Sequence, residues 1–345
     1  MKIMLKLQTQ MRAAFSRGLV VIALLFAAVA AFATFATAQT AAPKLAQNQA
    51  GFYRLKIGDF EVIALSDGTV PLPVFDLLTN VKPVEIERSL ANAFVKAPLD
   101  ASVNAFLIKP PGNPNKLIMV DAGSGELYGP TLNKLTASLK AVGYEPQQIT
   151  DILLTHIHTD HSGGLMDGTR MVFPNAVIHA DKREVDYWLN PANLDKSKGD
   201  KEQLARLFRE ANAKVKPYSD AGKVKTFDGD TELFPNIRSI AAPGHTPGHS
   251  FYLLESRGEK IVFWDDILHV AEVQFPNPAV TIVFDSDSKA AATQRKKAFA
   301  DAARNGYWIA PAHVSFPGIG HLRADGGGYK WIPITYVNDA YETGK

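Results

Sequence analysis

The chain has 345 residues, of which 46% are hydrophobic and 21% charged, so it can bury a sizeable core. Lys and Arg number 37 against 35 Asp and Glu, a formal net charge of +2, which argues against a nucleic-acid binder that neutralises phosphates. Cysteine is absent, which excludes disulfide scaffolds, Cys-based zinc fingers, iron–sulfur clusters and thiol nucleophiles.

The first 38 residues have the pattern of an export signal, with an apolar run over 18–36 that ends in the A-x-A sequence at 36–38. Acidic residues are absent there, and the basic ones are Lys2, Lys6, Arg12 and Arg17. We predict a signal peptide over 1–38, a flexible lead-in over 39–50, and a periplasmic or secreted protein. The alternative is an uncleaved membrane anchor, because the run is of borderline length for spanning a bilayer.

After residue 50, short apolar runs alternate with amphipathic stretches. The Ser-Asp-Gly at 66–68 predicts a turn after the first strand, and the Pro/Gly-rich 110–114 predicts a hairpin. Strands of this half are predicted over 60–65, 102–108, 117–120, 151–155 and 176–179. Helices are predicted over 131–142, 182–189 and 201–215, from apolar residues at helical spacing.

The second half repeats the alternation of strands and helices. Strands are predicted over 250–255, 260–264 and 307–310, and a helix over 288–304. Two packed sheets with helices outside satisfy this pattern, so we predict an α/β fold.

The most informative stretch is His156-Ile157-His158-Thr159-Asp160-His161, directly after the apolar run 151–154. It therefore lies in a loop at the end of a strand. Three imidazoles and a carboxylate within six residues have little structural use, since each buried ring needs a hydrogen-bond partner. The same groups suit zinc and its neighbours in the transition series. This motif predicts a metal site.

Further potential ligands stand beside other predicted strands. His245 lies in a Gly/Pro-rich turn before the strand 250–255, and His313 follows the strand 307–310. Asp265 and Asp266 follow the strand 260–264. Because α/β scaffolds build sites from loops that meet at one edge, we expect these residues to converge on the motif.

These motifs resemble those of the metallo-β-lactamase superfamily. The matching features are H-x-H-x-D-H at 156–161, G-H-T-P-G-H at 244–249, the acid after a strand, the final His313, and Val120-Asp121-Ala122-Gly123. The C-terminal part is similar to the methyl parathion hydrolase group within the superfamily. That similarity rests on residues 270–275, 284–289, 295–303 and 313–321. The resemblance runs over essentially all of the chain from residue 51 on.

The resemblance implies an αββα sandwich, with two mixed β-sheets flanked by helices, over residues 51–345. It also implies two divalent metal ions, with Zn²⁺ as the first choice. By position, His156, His158 and His245 hold one metal. Asp160, His161 and His313 hold the other, and Asp266 bridges them.

Hydrolysis in such a centre uses a hydroxide shared by the two metals, with Asp160 and Asp266 as the catalytic carboxylates. Asp121 is expected to orient a His or Asp ligand by contacting it on the side away from the metal. The family usually has glycine where this chain has Asp265. We assign Asp266 as the bridge because it keeps register with residues 267–270, and Asp265 is the alternative.

The same resemblance places aromatic pocket residues at Tyr128, Trp188 and Phe208, and His269 is close enough to Asp266 to line the pocket. An aromatic pocket suits a small neutral ester, such as an aryl phosphotriester, an aryl ester or a lactone. For Phe208 the alternative is a core position on the apolar face of the helix 201–215. The other histidines, predicted to be structural, are His179, His249 and His321.

The leading hypothesis is an exported binuclear metallo-hydrolase of ester-like substrates. One alternative is a β-lactam or acyl-homoserine-lactone hydrolase that uses the same metal site, and another is a non-enzymatic exported metal-binding protein. A nuclease is disfavoured by the lack of a basic surplus. The expected partners are a small neutral substrate, no nucleic acid and no membrane after signal removal, and the family suggests a homodimer.

Overall fold

The computed structural model describes residues 51–197 and 199–337. The predicted signal peptide (1–38) and lead-in (39–50) lie outside the described residues. Within those two described ranges, no helix is both long enough and apolar enough to cross a membrane.

Two seven-stranded mixed sheets form the centre of the fold. The strands are β1 (Phe52–Ile57), β2 (Phe60–Leu72), β3 (Leu78–Thr79), β4 (Leu99–Lys109), β5 (Ile118–Val120), β6 (Asp151–Leu153), β7 (Met166–Asp167), β8 (Arg170–Met171), β9 (Val177–Asp181), β10 (Val224–Phe227), β11 (Glu232–Phe234), β12 (Ile237–Ala241), β13 (Ser250–Ser256), β14 (Glu259–Phe263), β15 (Thr281–Ile282), β16 (Trp308–Ala310), β17 (Gly320–Asp325) and β18 (Gly328–Pro333). The first sheet has the order β1-β2-β4-β5-β6-β9-β10, and the second has β11-β12-β13-β14-β16-β17-β18. β3 pairs with β15, and β7 with β8.

Parallel pairing is confined to the middle or one side of each sheet. β5, β6, β9 and β10 run parallel to one another, and β14 runs parallel to β16. The other pairs within the two large sheets are antiparallel.

Helices pack on the outer faces of both sheets. They are α1 (Val74–Leu77), α2 (Pro83–Asn92), α3 (Leu135–Ala141), α4 (Thr159–Ser162), α5 (Lys182–Trp188), α6 (Asn193–Lys196), α7 (Lys201–Asp220), α8 (Ala271–Gln274) and α9 (Ser288–Asn305). Short 3-10 turns span Gly125–Tyr128, Pro146–Gln148, Gly163–Leu165 and Asp265–Ile267. The longer α7 and α9 begin at Asp200 and Asp287, whose carboxylates accept backbone N–H groups of the first turn and cap the helices.

The apolar side chains form layers on both sides of each sheet. Between the sheets, Phe106 of β4 packs on Phe263 of β14 with ring centroids 5.1 Å apart. On the outer face of the first sheet, Leu107 packs with residues of α3, α5 and α7, and on that of the second, Val262 packs with α9. Sheets buried on both faces explain why the strand sequences are apolar at consecutive positions rather than alternating. The expected αββα sandwich is confirmed.

The turn predicted at 66–68 is wrong, because β2 continues through these residues to Leu72. The strand has a bulge between Ser66 and Gly68. The bulge turns the buried Asp67 carboxylate toward α3, where its Oδ1 accepts the N–H groups of Lys134 and Leu135, both at 2.9 Å. This contact caps the helix from a distant strand. It explains why α3 begins at Leu135 and not at 131 as predicted.

The remaining predicted elements form with shifted ends. α7 continues five residues beyond the predicted 215, through Pro217 to Asp220. Several elements had no counterpart in the sequence analysis, among them β1, β10, β11, β12, β17, β18 and α2. Of these, β1, β10, β11 and β18 are the edge strands of the two large sheets, where partial exposure weakens the apolar pattern.

Candidate metal centre

The potential ligands stand on loops that follow strands of both sheets. Residues 154–161 follow β6 of the first sheet, beside the end of its parallel neighbour β5. Residues 264–266 follow β14 of the second sheet, and His313 follows the parallel neighbour β16. Because the carboxyl ends of parallel strands share an edge, each sheet brings its loops to one side of the sandwich.

Asp266 lies among a group of buried histidine rings. Its Oδ2 lies 3.1 Å from Nε2 of His269, 3.2 Å from Nε2 of His245, 3.3 Å from Nε2 of His161 and 3.6 Å from Nε2 of His156. Its Oδ1 lies 3.0 Å from Nε2 of His313. One carboxylate is thus the common neighbour of imidazoles from five positions in the chain.

Two groups of potential ligands share this carboxylate. His156, His158, His245 and Asp266 form one, and Asp160, His161, Asp266 and His313 form the other. Within each group the ligand atoms all lie within 4.8 Å of one another. The structure therefore brings together all seven residues predicted as metal ligands, in the two predicted sets, with Asp266 common to both.

The side chains fit a pair of divalent cations. Nε2 of His156 and Nε2 of His161 make no hydrogen bond within the described part of the chain, although both are buried. Buried polar atoms without a partner are rare, and a cation is a partner for an imidazole lone pair. Mixed imidazole and carboxylate donors suit zinc and neighbouring metals.

Asp265 lies on the Nδ1 side of the His156 and His161 rings, opposite Asp266. Its Oδ2 lies 3.1 Å from Nδ1 of His156 and 3.1 Å from Nδ1 of His161. It also accepts the Thr155 hydroxyl. Asp266, and not Asp265, therefore stands on the Nε2 side of these histidines.

Three other oxygen atoms lie against Nδ1 atoms of rings in the cluster. Asp121, predicted to orient a ligand, has its Oδ2 3.2 Å from Nδ1 of His161. Asp285 Oδ1 lies 3.0 Å from Nδ1 of His245, and the Ser102 carbonyl lies 2.8 Å from Nδ1 of His313. Nothing in the local sequence pattern predicts these last two contacts, because they pair residues that are distant in the chain.

A buried glutamate joins the two histidine loops. Glu184 of α5 accepts the N–H of Ile157 at 2.9 Å and the indole N–H of Trp188 at 2.7 Å on Oε1. Its Oε2 accepts the N–H of Gly248 at 2.8 Å. A Cβ on Gly248 would lie 2.4 Å from the Glu184 nitrogen, so this close approach requires glycine. Glu184 was missed because it sits in an ordinary amphipathic stretch.

Burial and neighbouring charges shift the pKa values of ionisable groups in the cluster. Burial and the charge of His161 lower the pKa of His156 to about 4, so this ring is neutral at pH 7. Burial also lowers the pKa of His245, but the hydrogen bond to Asp266 outweighs it and raises that pKa to about 9. Burial raises the pKa of Asp160, whereas His161 outweighs it and lowers that pKa to about 2. Asp160 is therefore ionised at neutral pH.

A cavity of about 140 Å³ adjoins the cluster and is lined by five of its members, His158, Asp160, Asp266, His269 and His313. Its other lining residues are Val70, Leu72, Tyr128, Gln203, Arg206, Leu207 and Phe284. Most of these other lining residues are apolar, and Gln203 and Arg206 are polar. Such a cavity can bind a small apolar molecule against the cluster.

The predicted pocket residues lie at different depths. Tyr128 and His269 line the cavity. Trp188 is almost fully buried and packs edge-on against His158, with ring centroids 5.4 Å apart. Phe208 lies in the core beneath it, 4.9 Å from Trp188 between centroids, which matches its alternative interpretation as a core residue.

The other three histidines have partners of their own. His179 Nε2 lies 2.9 Å from Asp151 Oδ1, and the His321 ring lies 3.8 Å from that of Trp308. His249 Nδ1 lies 3.2 Å from the Ala242 carbonyl. The contacts of His179 and His321 are those expected of structural histidines, whereas the buried Nε2 of His249 makes no hydrogen bond within the described part of the chain.

Comparison with known proteins supports the resemblance seen in the motifs. A family model described as the metallo-beta-lactamase superfamily matches residues 99–313, more than half of the chain. An N-acyl homoserine lactonase from Bacillus sp. is 26% identical over 219 residues, which covers 58% of this chain and 76% of that protein.

Two solved structures are also similar. A hydrolase of the beta lactamase superfamily, AbOPH, is 34% identical, with a TM-score of 0.79 over 85% of this chain and 100% of that one. AidC, described as a dizinc quorum-quenching lactonase, is 28% identical, with a TM-score of 0.72 over 84% of this chain and 99% of that one. These relatives do not specifically support the narrower likeness to methyl parathion hydrolase.

Proposed function

The chain belongs to the metallo-beta-lactamase superfamily, and on that premise we propose that it is a binuclear metallo-hydrolase that opens lactone rings. The observation that carries the proposal is the common neighbourhood of Asp266, whose carboxylate lies within 3.6 Å of five imidazole nitrogens beside an apolar cavity. A water-excluding wall next to a charged cluster suits hydrolysis of a small neutral ester.

We assign His156, His158 and His245 to one cation, Asp160, His161 and His313 to the other, and Asp266 to both. Zinc is the first candidate. Two divalent cations at such a site would lower the pKa of a water toward neutrality and polarise the carbonyl under attack.

The chain's own groups complete the site. Asp265, Asp285 and the Ser102 carbonyl lie against Nδ1 atoms, and so they direct the Nε2 atoms of those rings to the cluster. Burial and the charge of Asp160 raise the pKa of Tyr128 to about 12. Its phenol therefore keeps its proton at neutral pH and offers a hydrogen-bond donor to the cavity.

Two independent features favour a lactone. Proteins described as lactonases are similar to this chain over more than half of its length. The cavity is lined by apolar side chains, among them Leu72, Leu207 and Phe284, and also by the polar Gln203 and Arg206. An acyl chain fits the former, and a polar ring substituent fits the latter.

The second candidate is hydrolysis of an aryl ester or an aryl phosphotriester. The aromatic side chains of Tyr128 and Phe284 in the cavity wall favour it, since aromatic rings pack on one another. The cluster of ligands does not distinguish this candidate from the first.

The test is a substrate panel on protein loaded with two equivalents of zinc. N-hexanoyl-homoserine lactone, 4-nitrophenyl acetate, diethyl 4-nitrophenyl phosphate and a β-lactam are compared by kcat/KM. We expect the lactone to give the highest value, and activity to disappear with a chelator and return with zinc. If all four remain intact while zinc binds, the protein is a metal-binding protein and not this hydrolase.

We also propose that residues 1–38 are a signal peptide and that the enzyme acts in the periplasm or outside the cell. The support is the basic start, the apolar run and the A-x-A sequence. Mass spectrometry of the protein from the periplasmic fraction should give a chain that begins at Gln39. A full-length chain held in the membrane would show the segment to be an anchor instead.

A further inference from the structure

Asp265 occupies a position that is unfavourable for its residue type. Its φ of +51° lies in the left-handed region, which glycine adopts without steric cost. Its carboxylate is buried beside those of Asp121 and Asp266, so like charges meet in a medium of low dielectric. The superfamily resemblance implies glycine here. Because the backbone conformation and the neighbouring charges both disfavour aspartate here, compensating contacts are needed.

Those contacts are with two predicted ligand rings. Asp265 Oδ2 lies 3.1 Å from Nδ1 of both His156 and His161. Asp121 reaches Nδ1 of His161 as well, at 3.2 Å. The contacts of Nδ1 of His156 are with Asp265 and, at 3.1 Å, with the Thr155 hydroxyl. Asp265 is therefore the anionic contact of His156 on this side, and a second one for His161.

We propose that Asp265 is a positioning residue that fixes His156 and His161 for metal binding. A neutral imidazole carries one N–H, and a carboxylate at Nδ1 keeps the hydrogen there. The lone pair of Nε2 is then free and points to the side of Asp266. This inference rests on the proposed function in one respect, namely that these two histidines are metal ligands.

The test is zinc affinity, measured on apo-protein by competition with a chromophoric chelator. Loss of a carboxylate behind a ligand histidine lowers metal affinity by about 10–100-fold. We expect that loss in Asp265→Gly, whose glycine suits the backbone, and a smaller one in Asp265→Asn, which keeps an acceptor oxygen. Asp181→Asn is the matched control, because Asp181 is equally buried and accepts hydrogen bonds from Arg183 and Gly229, away from the cluster. Its affinity should stay within threefold of wild type.

A spectroscopic readout separates positioning from general destabilisation. In the cobalt-substituted wild type, the Nδ1–H protons of His156 and His161 should appear as hyperfine-shifted, solvent-exchangeable NMR signals. In Asp265→Gly the His156 signal should broaden by faster exchange, while Asp181→Asn keeps both.

Three results would overturn the proposal. They are an unchanged or higher affinity in Asp265→Gly, unchanged N–H signals in that variant, or three zinc ions per wild-type chain, which would make Asp265 a ligand itself. If the affinity falls as expected but no lactone is hydrolysed, the proposed function fails and the role of Asp265 stands. A wild type that binds no zinc would refute both.

Discussion

Glu184→Gln removes half of the acceptor capacity of the glutamate that joins the two histidine loops. The amide oxygen can take the place of Oε1 and keep the N–H groups of Ile157 and Trp188. The amide nitrogen then faces the N–H of Gly248, which lies 2.8 Å from Oε2 in the native protein. Two donors cannot bond to one another, so this backbone N–H loses its partner in a buried site.

The expected cost follows from two opposing effects. A buried donor without a partner costs about 1–3 kcal/mol. Burial raises the pKa of Glu184 above its ordinary value, so its charged form is disfavoured in the fold and the neutral glutamine recovers part of that. We therefore expect a fall of about 1–2 kcal/mol in the free energy of unfolding. Loosening of Ile157, which stands between His156 and His158, should also lower zinc affinity about tenfold.

Urea unfolding of the chelator-treated protein measures the first quantity, and chelator competition measures the second. Glu87→Gln, a change at an exposed glutamate of α2, is the control and should stay within about 0.5 kcal/mol of wild type. If Glu184→Gln matches the wild type in both stability and zinc affinity, Glu184 does not hold the loops together and the reasoning is refuted.

Other substitutions test separate parts of the structure. Asp266→Ala should lower lactone kcat/KM by on the order of 10³-fold and leave fewer than two metals per chain by elemental analysis, whereas Asp186→Ala, at the surface, should change neither. Phe208→Ala should cost about 3–4 kcal/mol in urea unfolding, because its ring fills the core against Trp188; an unchanged stability together with a changed KM would make it a pocket residue. Burial opposes ionisation of Asp151, but its hydrogen bonds with His179 and Lys116 outweigh burial and lower its pKa to about 2. The ionised carboxylate therefore stabilises the fold fully at pH values above its ordinary pKa of 3.8. Asp151→Asn should therefore lower the free energy of unfolding by about 2 kcal/mol at pH 7, and the difference from wild type should shrink between pH 4 and pH 2; a difference that is constant with pH would contradict this.

The ligand cluster could be foreseen because each of its members stands beside a predicted apolar strand. His156, Asp266 and His313 are far apart in the chain, yet each stands after a predicted strand, and parallel strands bring such positions to one edge. Two packed sheets followed from the alternation of strands and helices. The choice of Asp266 over Asp265 rested on register alone, and the structure places Asp266 on the Nε2 side of the rings.

What the sequence could not provide are contacts made by tertiary packing. Asp67 in Ser-Asp-Gly has the local signature of a turn, and only its bonds to the start of α3 explain why the strand continues. Glu184 and Asp285 resemble ordinary polar residues until the chain folds back on the histidine loops. Phe208 fits both a pocket and a core by helical spacing, and its packing on Trp188 favours the core interpretation.

The ligands assigned to each cation are divided between the two sheets. Residues after β6 of the first sheet meet His245 in one set and His313 in the other, both from the second sheet. Under this assignment neither half of the chain holds a complete set, and each ion would link loops of the two sheets. Binding at each metal site would then raise the free energy of unfolding by RT ln(1 + [metal]/Kd). The zinc supply where the enzyme works would thus set what fraction of the chains is folded as well as how fast they turn over substrate.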